Sequence, residues 1–222
     1  MEYANNGNLQ TYLENNFEKL NWNDKKQLAY QIADGLNYLH NEDVLHRDLH
    51  SKNIVIHDRN AKITDFGISK IEYNSSMHIG PFGKTAYMEP QILADQNFEY
   101  IKASDIYSFG ILMWEISSGQ SPFENKFNNN QDLIIAITCY ETREISIADT
   151  PDDYEKLYKK CWKQEPEQRP IIKEVLKRFS KMGFGKNIGD DESTKENNSD
   201  PDSNIGDSIQ LNTFENLSIS NF

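Results

Sequence analysis

The sequence predicts a mainly α-helical domain that carries one small β-hairpin. Residues 22–43 place apolar side chains three and four positions apart, which is the spacing of one face of a helix. Residues 104–119 are apolar nearly all round, which indicates a central helix that is buried on every side. Residues 53–64 instead contain two short apolar strands, NIVIH and AKIT, joined by a DRN turn. Together these observations predict a helical bundle with a single hairpin.

The N-terminal elements follow from capping residues and apolar spacing. An Asn/Gly loop, NNGN, precedes a short helix predicted over residues 9–16. Asn23 is the expected N-cap of the long helix, because a short polar side chain there can accept the first free backbone N–H groups. The face of this helix that we expect to be buried consists of Leu28, Ile32, Leu36 and Leu39.

The C-terminal half alternates irregular and helical stretches. Residues 65–91 contain Gly and Pro at several positions and are predicted to be irregular. The central helix follows, and after it comes an Asn-rich loop, FENKFNNNQD. Three further helical segments extend to about residue 182, and Pro166 and Pro170 mark the break between the last two.

Charge divides the chain into a domain and a tail. The net charge is −12, which argues against a nucleic-acid backbone or an acidic membrane as the main partner. Residues 186–222 carry eight acidic and two basic residues, so they hold −6, half of that total. We therefore expect a domain over residues 1–182 and an acidic, Asn- and Ser-rich tail over residues 183–222 that is disordered because it is too polar to fold alone. Apolar patches near its end are a candidate docking segment for a partner.

The sequence contains no recognisable membrane-spanning or secretory segment. No window approaches about 18 uncharged apolar residues, and the N-terminus, MEYANNGNLQ, has neither a basic region nor an apolar run. Cys139 and Cys161 lack a CxxC spacing, so we expect two free thiols in a reducing compartment. The predicted location is intracellular, in the cytoplasm.

A polar string, HRDLHSKN at residues 46–53, lies between two apolar runs and carries the candidate chemistry. Asp48 and Asn53 lie on this loop, and Asp65 follows directly after the hairpin. Because a hairpin returns the chain to where it began, all three side chains can converge at one end of it. Oxygen ligands suit Mg²⁺, and a carboxylate near an acceptor hydroxyl can orient it and accept its proton. The pattern points to phosphoryl transfer, which depends on positioning and on neutralising phosphate charge.

HRDLHSKN followed by DFG resembles the catalytic loop and the metal-binding motif of eukaryotic protein kinases. The resemblance extends over nearly all of residues 1–182. SDIYSFGILMWE is similar to the central helix of the kinase C-terminal lobe, and MEYANNGNLQTYL to the hinge and the helix after it. KCWKQEPEQRP resembles the late-helix motif of tyrosine kinases and of the tyrosine-kinase-like group. The resemblance implies a kinase C-terminal lobe as the fold, ATP and Mg²⁺ as cofactors, and a protein as the substrate.

The resemblance also implies roles for individual residues. Asp48 would be the catalytic base, and Asn53 and Asp65 would hold Mg²⁺. Arg47 would pair with a phosphorylated residue of the activation segment, residues 65–91. The other implied roles are those of His46 packed under the DFG turn, Asp105 bonded to the backbone of the catalytic loop, the backbone of Glu2 and Ala4 at the adenine, Asn8 near the ribose and Val55 beneath the base.

Acceptor specificity is inferred from residues that depart from the family pattern. Serine/threonine kinases usually carry Lys two residues after the catalytic Asp, and Thr three residues before the position that Tyr87 takes; this sequence has His50 and Lys84 instead. Lys52, four residues after Asp48, resembles the basic catalytic residue of tyrosine kinases. TAYMEPQ is nevertheless closer to the tyrosine-kinase-like Ser/Thr pattern, so we favour Ser/Thr over Tyr as the acceptor.

The sequence lacks the parts of a kinase that precede the hinge. It contains no GxGxxG loop and no VAIK-like strand, and the hinge-like segment begins at Met1. We therefore expect an isolated C-terminal lobe with weak or no activity. Two alternatives remain open. One is a non-catalytic kinase-like fragment that acts as a binding or regulatory module, and the other is a small-molecule phosphotransferase of the choline-kinase type, which shares a catalytic Asp/Asn pair.

MEPQ stands where the family has APE, so that Gln91 replaces the Glu expected to pair with Arg169. A Gln can accept a hydrogen bond from Arg, but without charge assistance. This interpretation predicts weaker anchoring of the activation segment and a gain in thermal stability for Gln91→Glu. The candidate phosphorylation sites able to engage Arg47 are Ser75, Ser76 and Thr85.

Overall fold

The computed structural model describes residues 5–65 and 82–185 of the chain. These residues form eight α-helices and one two-stranded antiparallel sheet, which confirms the mainly α fold with a single hairpin. The helices are α1 (Leu9–Asn16), α2 (Trp22–Asn41), α3 (Phe82–Thr85), α4 (Pro90–Ala94), α5 (Lys102–Ser118), α6 (Asn130–Cys139), α7 (Asp152–Cys161) and α8 (Ile172–Lys181). The strands are β1 (Ile54–His57) and β2 (Asn60–Ile63).

The long helix α2 is capped by Asn21, and the prediction of Asn23 as the cap is wrong. The Asn21 side-chain oxygen accepts the backbone N–H groups of Asn23 and Asp24, and the Asp24 carboxylate accepts the N–H of Asn21 in return. This reciprocal capping box requires an acidic or amide side chain three residues after the cap, and Asp24 provides it only for position 21. The predicted buried face is confirmed, because Leu28, Ile32, Leu36 and Leu39 are all buried.

The hairpin turns over two residues. The last pair of the ladder is His57 with Asn60, so Asp58 and Arg59 alone form the turn. Both have positive φ angles, 47° and 64°, which is the backbone that two-residue hairpin turns require. The tight turn is therefore confirmed, with Asn60 already paired in the strand.

The chain before α1 runs along β1. The Asn6 N–H donates to the Ile56 carbonyl at 3.1 Å, and the Ile56 N–H donates to the Gly7 carbonyl at 2.8 Å. Asn8 then forms an isolated antiparallel bridge with Val55. The segment that enters α1 and the strand that leaves the HRDLHSKN loop therefore share one edge of the fold.

Helix α5 is the centre of the core, as its apolar sequence predicts. Every residue from Ser104 to Ser118 is buried, and the helix packs against α2 and α7. A Cβ atom on Gly110 would lie 2.9 Å from the Cys161 Cβ, so the glycine allows α5 and α7 to approach this closely. Because α2 also packs against β2 and α8, the two long helices support the hairpin and the loop that precedes it.

The two cysteines are free thiols, as predicted. Cys139 is exposed and Cys161 is buried, and burial raises the pKa of the Cys161 thiol. Within residues 5–65 and 82–185, no helix has both the length and the apolar character that a membrane crossing needs. Residues 186–222 of the predicted acidic tail lie outside the described residues.

Candidate active site

The HRDLHSKN loop is held by the buried carboxylate of Asp105, near the start of α5. The carboxylate accepts the backbone N–H of His46 at 3.0 Å and the N–H of Arg47 at 3.1 Å. It also accepts the Tyr100 hydroxyl at 2.7 Å and lies 2.9 Å from His40 Nε2. Four partners satisfy a carboxylate that has no contact with water, so the tie between Asp105 and the loop is confirmed.

The loop brings Asp48 and Asn53 into contact. Asn53 Nδ2 donates to the Asp48 backbone carbonyl at 2.9 Å and to Asp48 Oδ2 at 3.2 Å. The Asn53 carbonyl in turn accepts the Thr64 N–H at 2.9 Å and the Thr64 hydroxyl at 3.0 Å. Asp65 follows Thr64 directly, is exposed and has a positive φ of 64°. The hairpin therefore returns Asp65 to the end of the loop that carries the other two side chains.

Two nitrogen-bearing side chains face the Asp48 carboxylate. Lys84 Nζ donates to Asp48 Oδ2 at 2.8 Å, and His50 Nε2 lies 3.4 Å from the same oxygen. Burial acts to raise the pKa of Asp48, but the His50 ring and the Lys84 ammonium outweigh it and lower the pKa to about 2. Asp48 is therefore a carboxylate at neutral pH.

Asn53 and Asp65 suit a magnesium ion by their chemistry. Hard Mg²⁺ takes oxygen ligands, and it commonly binds one or two protein groups together with phosphate oxygens and water. Because Asn53 Nδ2 donates to Asp48, the amide oxygen of Asn53 is left as its acceptor atom. Among the residues that the structure describes, no group of three or more His, Cys, Asp or Glu side chains is placed to hold a metal.

Comparison with known proteins decides the family. Residues 1–179 match the sequence model of the family described as protein tyrosine and serine/threonine kinase. This chain belongs to the protein kinase family. The mostly helical fold with one small sheet agrees with the C-terminal lobe expected from the sequence.

The kinase chain has relatives in several organisms. A probable serine/threonine-protein kinase of Dictyostelium discoideum is 34% identical over 182 residues, which are 82% of this chain and 19% of the relative. A mitogen-activated protein kinase kinase kinase of Drosophila melanogaster is 33% identical over 84% of this chain and 16% of its own length. A putative serine/threonine-protein kinase/receptor of Acanthamoeba polyphaga mimivirus is 32% identical over 86% of this chain and 11% of the relative. The chain thus spans less than a fifth of each of these three.

His46 and Arg47, which are adjacent in the HRDLHSKN loop, differ in burial. His46 is fully buried, and its Nε2 lies 3.0 Å from the Thr64 carbonyl, directly before the position of DFG. The packing of His46 beneath the residues after Asp65 lies outside the described residues. Arg47 has a positive φ of 69°, and its Nε is buried without a hydrogen-bond partner among the described residues.

Lys52 is exposed, unlike the other basic residues near Asp48. Its backbone N–H donates to His50 Nδ1 at 3.2 Å. Among the described residues, the side chains that lower the pKa of Asp48 are those of His50 and Lys84. Lys52 thus lies on the HRDLHSKN loop with its backbone N–H bonded to His50.

The nucleotide-side residues are described only in part. Asn8 and Val55 are half-buried neighbours through their bridge. The Asn8 side chain accepts the Thr11 N–H at 3.0 Å and so caps α1. Glu2 and Ala4 lie outside the described residues.

Arg169 pairs with Glu89, and the expectation that it pairs with Gln91 is wrong. Arg169 donates to both carboxylate oxygens of Glu89, one of them at 2.9 Å. Gln91 Nε2 instead donates to Glu165 Oε2 at 3.3 Å. Glu89 is the N-cap of α4 and is buried, whereas Gln91 is the second residue of α4 and is only half-buried. Arg169 therefore has an acidic partner, which lies two residues earlier in the chain than the family pattern predicts.

The end of the activation segment is fixed to the core of the kinase by Tyr87. Its hydroxyl donates to Glu115 Oε2 at 2.6 Å, and its backbone carbonyl accepts the Ser108 hydroxyl at 2.7 Å. Thr85 is fully buried and bonded to Asn130, so its hydroxyl is not accessible for phosphorylation in this arrangement. The other two candidate phosphorylation sites, Ser75 and Ser76, lie outside the described residues.

Three residues of the site were missed as partners by sequence reasoning. Lys84 was recognised as a departure from the family pattern, but nothing in the sequence linked it to Asp48. Glu89 precedes by two residues the position at which the family pattern has its acid, so the sequence did not indicate it as the partner of Arg169. Glu115 stands among apolar residues in the second half of α5, and a carboxyl group in such a run is the signal that could have marked it.

Proposed function

We propose that this chain is the part of a protein kinase that transfers the γ-phosphate of ATP to a Ser or Thr hydroxyl of a protein substrate. The observation that carries the proposal is the contact of Asp48 Oδ2 with Asn53 Nδ2 at 3.2 Å. Asp105 holds the backbone of the same loop. The Asp48 side chain keeps 22% of its surface exposed, so an acceptor hydroxyl can reach it.

Each residue has a defined task in this proposal. Asp48, ionised at neutral pH, accepts a hydrogen bond from the acceptor hydroxyl, orients it and takes its proton. Asn53 and Asp65 offer oxygen atoms at the end of the hairpin as metal ligands. Mg²⁺, when bound there, would neutralise charge on the phosphate oxygens.

The nucleotide is proposed to lie against the edge formed by Asn8 and Val55, with the backbone of Glu2 and Ala4 at the adenine. The 222 residues contain no GxGxxG motif and no VAIK-like run, so we expect the chain by itself to hold ATP weakly. We assign the chain to the tyrosine-kinase-like group, which KCWKQEPEQRP and TAYMEPQ support together with relatives named as serine/threonine kinases.

The proposal also covers the binding of a phosphorylated residue, the acidic tail and the location of the protein. Arg47, with its unpartnered Nε, is proposed to receive a phosphate group carried by the activation segment. Lys52 remains a candidate basic residue on the substrate side. We propose a kinase domain over residues 1–182, an acidic tail over residues 183–222 that takes a partner of its own, and a cytoplasmic location, which the two free thiols support.

The test is phosphate transfer by the purified chain. The chain is incubated with ATP, Mg²⁺ and a basic protein substrate beside Asp48→Asn, which preserves the shape of the side chain and removes its charge. We expect slow incorporation that is lost in Asp48→Asn and appears on Ser and Thr in phosphoamino-acid analysis. Incorporation that does not depend on Asp48 contradicts the assigned base, and a phosphotyrosine product contradicts the assigned acceptor.

A non-catalytic binding module is the second candidate, because the chain contains neither the glycine-rich loop nor its lysine strand. The two candidates differ in their response to nucleotide. A catalytic chain gains thermal stability when ATP and Mg²⁺ are added together, because a ligand that binds only the folded state stabilises it. A binding module shows no such shift and no incorporation.

A further inference from the structure

The ammonium group of Lys84 lies beside the carboxylate of Asp48, although the two residues belong to different parts of the chain. Nζ and Oδ2 are 2.8 Å apart, the distance of a charge-assisted hydrogen bond. The Lys84 side chain is 38% exposed and that of Asp48 22%, so solvent screens the pair only in part. Lys84 stands in α3, at the end of the activation segment, while Asp48 stands in the catalytic loop.

His50 and Lys84 approach the same carboxylate oxygen of Asp48 from different parts of the chain. His50 Nδ1 accepts the backbone N–H of Lys52 at 3.2 Å, and its buried Nε2 lies 3.4 Å from Asp48 Oδ2. Lys84 Nζ, at 2.8 Å, is the closer of the two nitrogen atoms, and it comes from the activation segment rather than from the loop that carries Asp48.

We propose that Lys84 is a positioning residue for phosphoryl transfer: it holds the Asp48 carboxylate in place for the acceptor hydroxyl and brings positive charge to the acceptor side of the site. The inference rests on the proposed kinase function and identifies a residue on the activation segment as part of its catalytic apparatus. Phosphoryl transfer depends on positioning and on charge near the phosphate, and a lysine ammonium provides both at one point.

The position of Lys84 depends on the anchors of the activation segment. The Lys84 carbonyl accepts the Tyr87 N–H at 3.0 Å, and the next residue, Thr85, is bonded to Asn130 in α6. A small cavity of about 20 Å³ adjoins the pair, and Lys84, Asp48, Arg47 and Tyr87 are among the residues that line it. An acceptor side chain that reaches the exposed part of Asp48 would meet Lys84 as well, so the positive charge is in place only when the activation segment is in place.

The pair can be tested without turnover, through the reactivity of the Lys84 amine toward an acylating reagent. The rate is measured by mass spectrometry in the full 222-residue chain and in Asp48→Asn. We expect Lys84 to react faster in Asp48→Asn, because the carboxylate that holds its ammonium group at 2.8 Å is then absent. The control is Lys102, which is paired with the exposed Asp43 and should react at the same rate in both chains. An unchanged rate at Lys84 in Asp48→Asn overturns the proposal.

Kinetics separates positioning from mere packing. In the transfer assay, Lys84→Met should lower kcat by about 10²-fold with little change in the KM for ATP, as misplacement of a catalytic group does. Lys84→Arg should keep most of the rate. Lys84→Thr should lose rate, and the double variant Lys84→Thr/His50→Lys should recover it, because the lysine at position 50 again places an ammonium group beside Asp48. A rate that is equal or higher in Lys84→Met overturns the proposal, and a higher rate identifies the pair as a blocking contact.

Failure of the proposed function can be distinguished from failure of the inference about Lys84. If the chain and Asp48→Asn show the same absence of transfer, the proposed function fails in this chain, and the acylation rate of Lys84 alone decides whether Lys84 holds Asp48. If transfer depends on Asp48 but not on Lys84, the proposed function stands and this inference fails.

Discussion

Glu89 and Arg169, 80 residues apart in the chain, form an ion pair that is fully buried on both sides. The guanidinium meets the carboxylate through two nitrogen atoms, the bidentate geometry that favours Arg over Lys. Its remaining N–H groups donate to the backbone carbonyls of Ala103, Lys163 and Gln164. The pair therefore joins the end of the activation segment to the start of α5 and to the loop between α7 and α8.

Loss of Glu89 should be costly. Glu89→Ala leaves the Arg169 guanidinium buried without its counter-charge, and removing one partner of a buried pair typically costs about 3–5 kcal/mol. Chemical denaturation of the wild type and of Glu89→Ala measures the free energy of unfolding directly. Gln91→Ala is the matched control, because it lies two residues away, is only half-buried, and should lose less than about 1 kcal/mol. If Glu89→Ala also loses less than about 1 kcal/mol, the pair of Glu89 with Arg169 does not anchor the activation segment.

Gln91→Glu should lower the thermal stability, contrary to the expectation from sequence. Gln91 Nε2 now donates to the Glu165 carboxylate, so a Glu at this position would place two carboxylates side by side. For a chain of this size, roughly 0.5–1 kcal/mol corresponds to a fall of about 1–4 °C in Tm. Gln91→Met separates loss of the hydrogen bond from charge repulsion. A rise in the melting temperature of Gln91→Glu would instead indicate that the new carboxylate pairs with Arg169, as the sequence predicts.

The outcome at these positions shows what the sequence can and cannot predict. The contact of Asp48 with Asn53 was predictable because both residues lie on one short loop, where spacing along the chain fixes their separation. The contacts of Lys84 and Glu89 were not, because each partner lies far away in sequence and the pairing depends on how the activation segment folds back. The N-cap of α2 was missed by two residues because Asn occurs at both positions, and the reciprocal bond to Asp24 selects the first.

Asp105→Asn should loosen the catalytic loop. An amide keeps one acceptor oxygen, so the N–H groups of His46 and Arg47 can no longer both be satisfied by the side chain. We expect hydrogen exchange at these two amides to become at least about tenfold faster, corresponding to a loss of about 1.4 kcal/mol of local stability. Ser118→Ala, at the far end of the same helix, is the control and should leave both amides protected. Unchanged protection in Asp105→Asn would mean that other contacts hold the loop.

The stability of the chain should fall as the pH rises from about 4.5 to about 7, because of Glu115. Burial raises the pKa of this carboxyl group to about 7, and the Tyr87 hydroxyl opposes the shift only in part. Between the two values the folded state retains a proton that the unfolded state has lost, so raising the pH favours unfolding. Glu115→Gln removes this titration and should be more stable than the wild type at pH 8 by roughly 1–3 kcal/mol, with little difference at pH 4.5. Unfolding curves measured across this pH range provide the test, with the exposed Glu167→Gln as a control that should follow the wild type. Parallel curves for the wild type and Glu115→Gln would show that Glu115 is ionised inside the fold, so that the hydrogen bond from Tyr87 is strong enough to offset its burial.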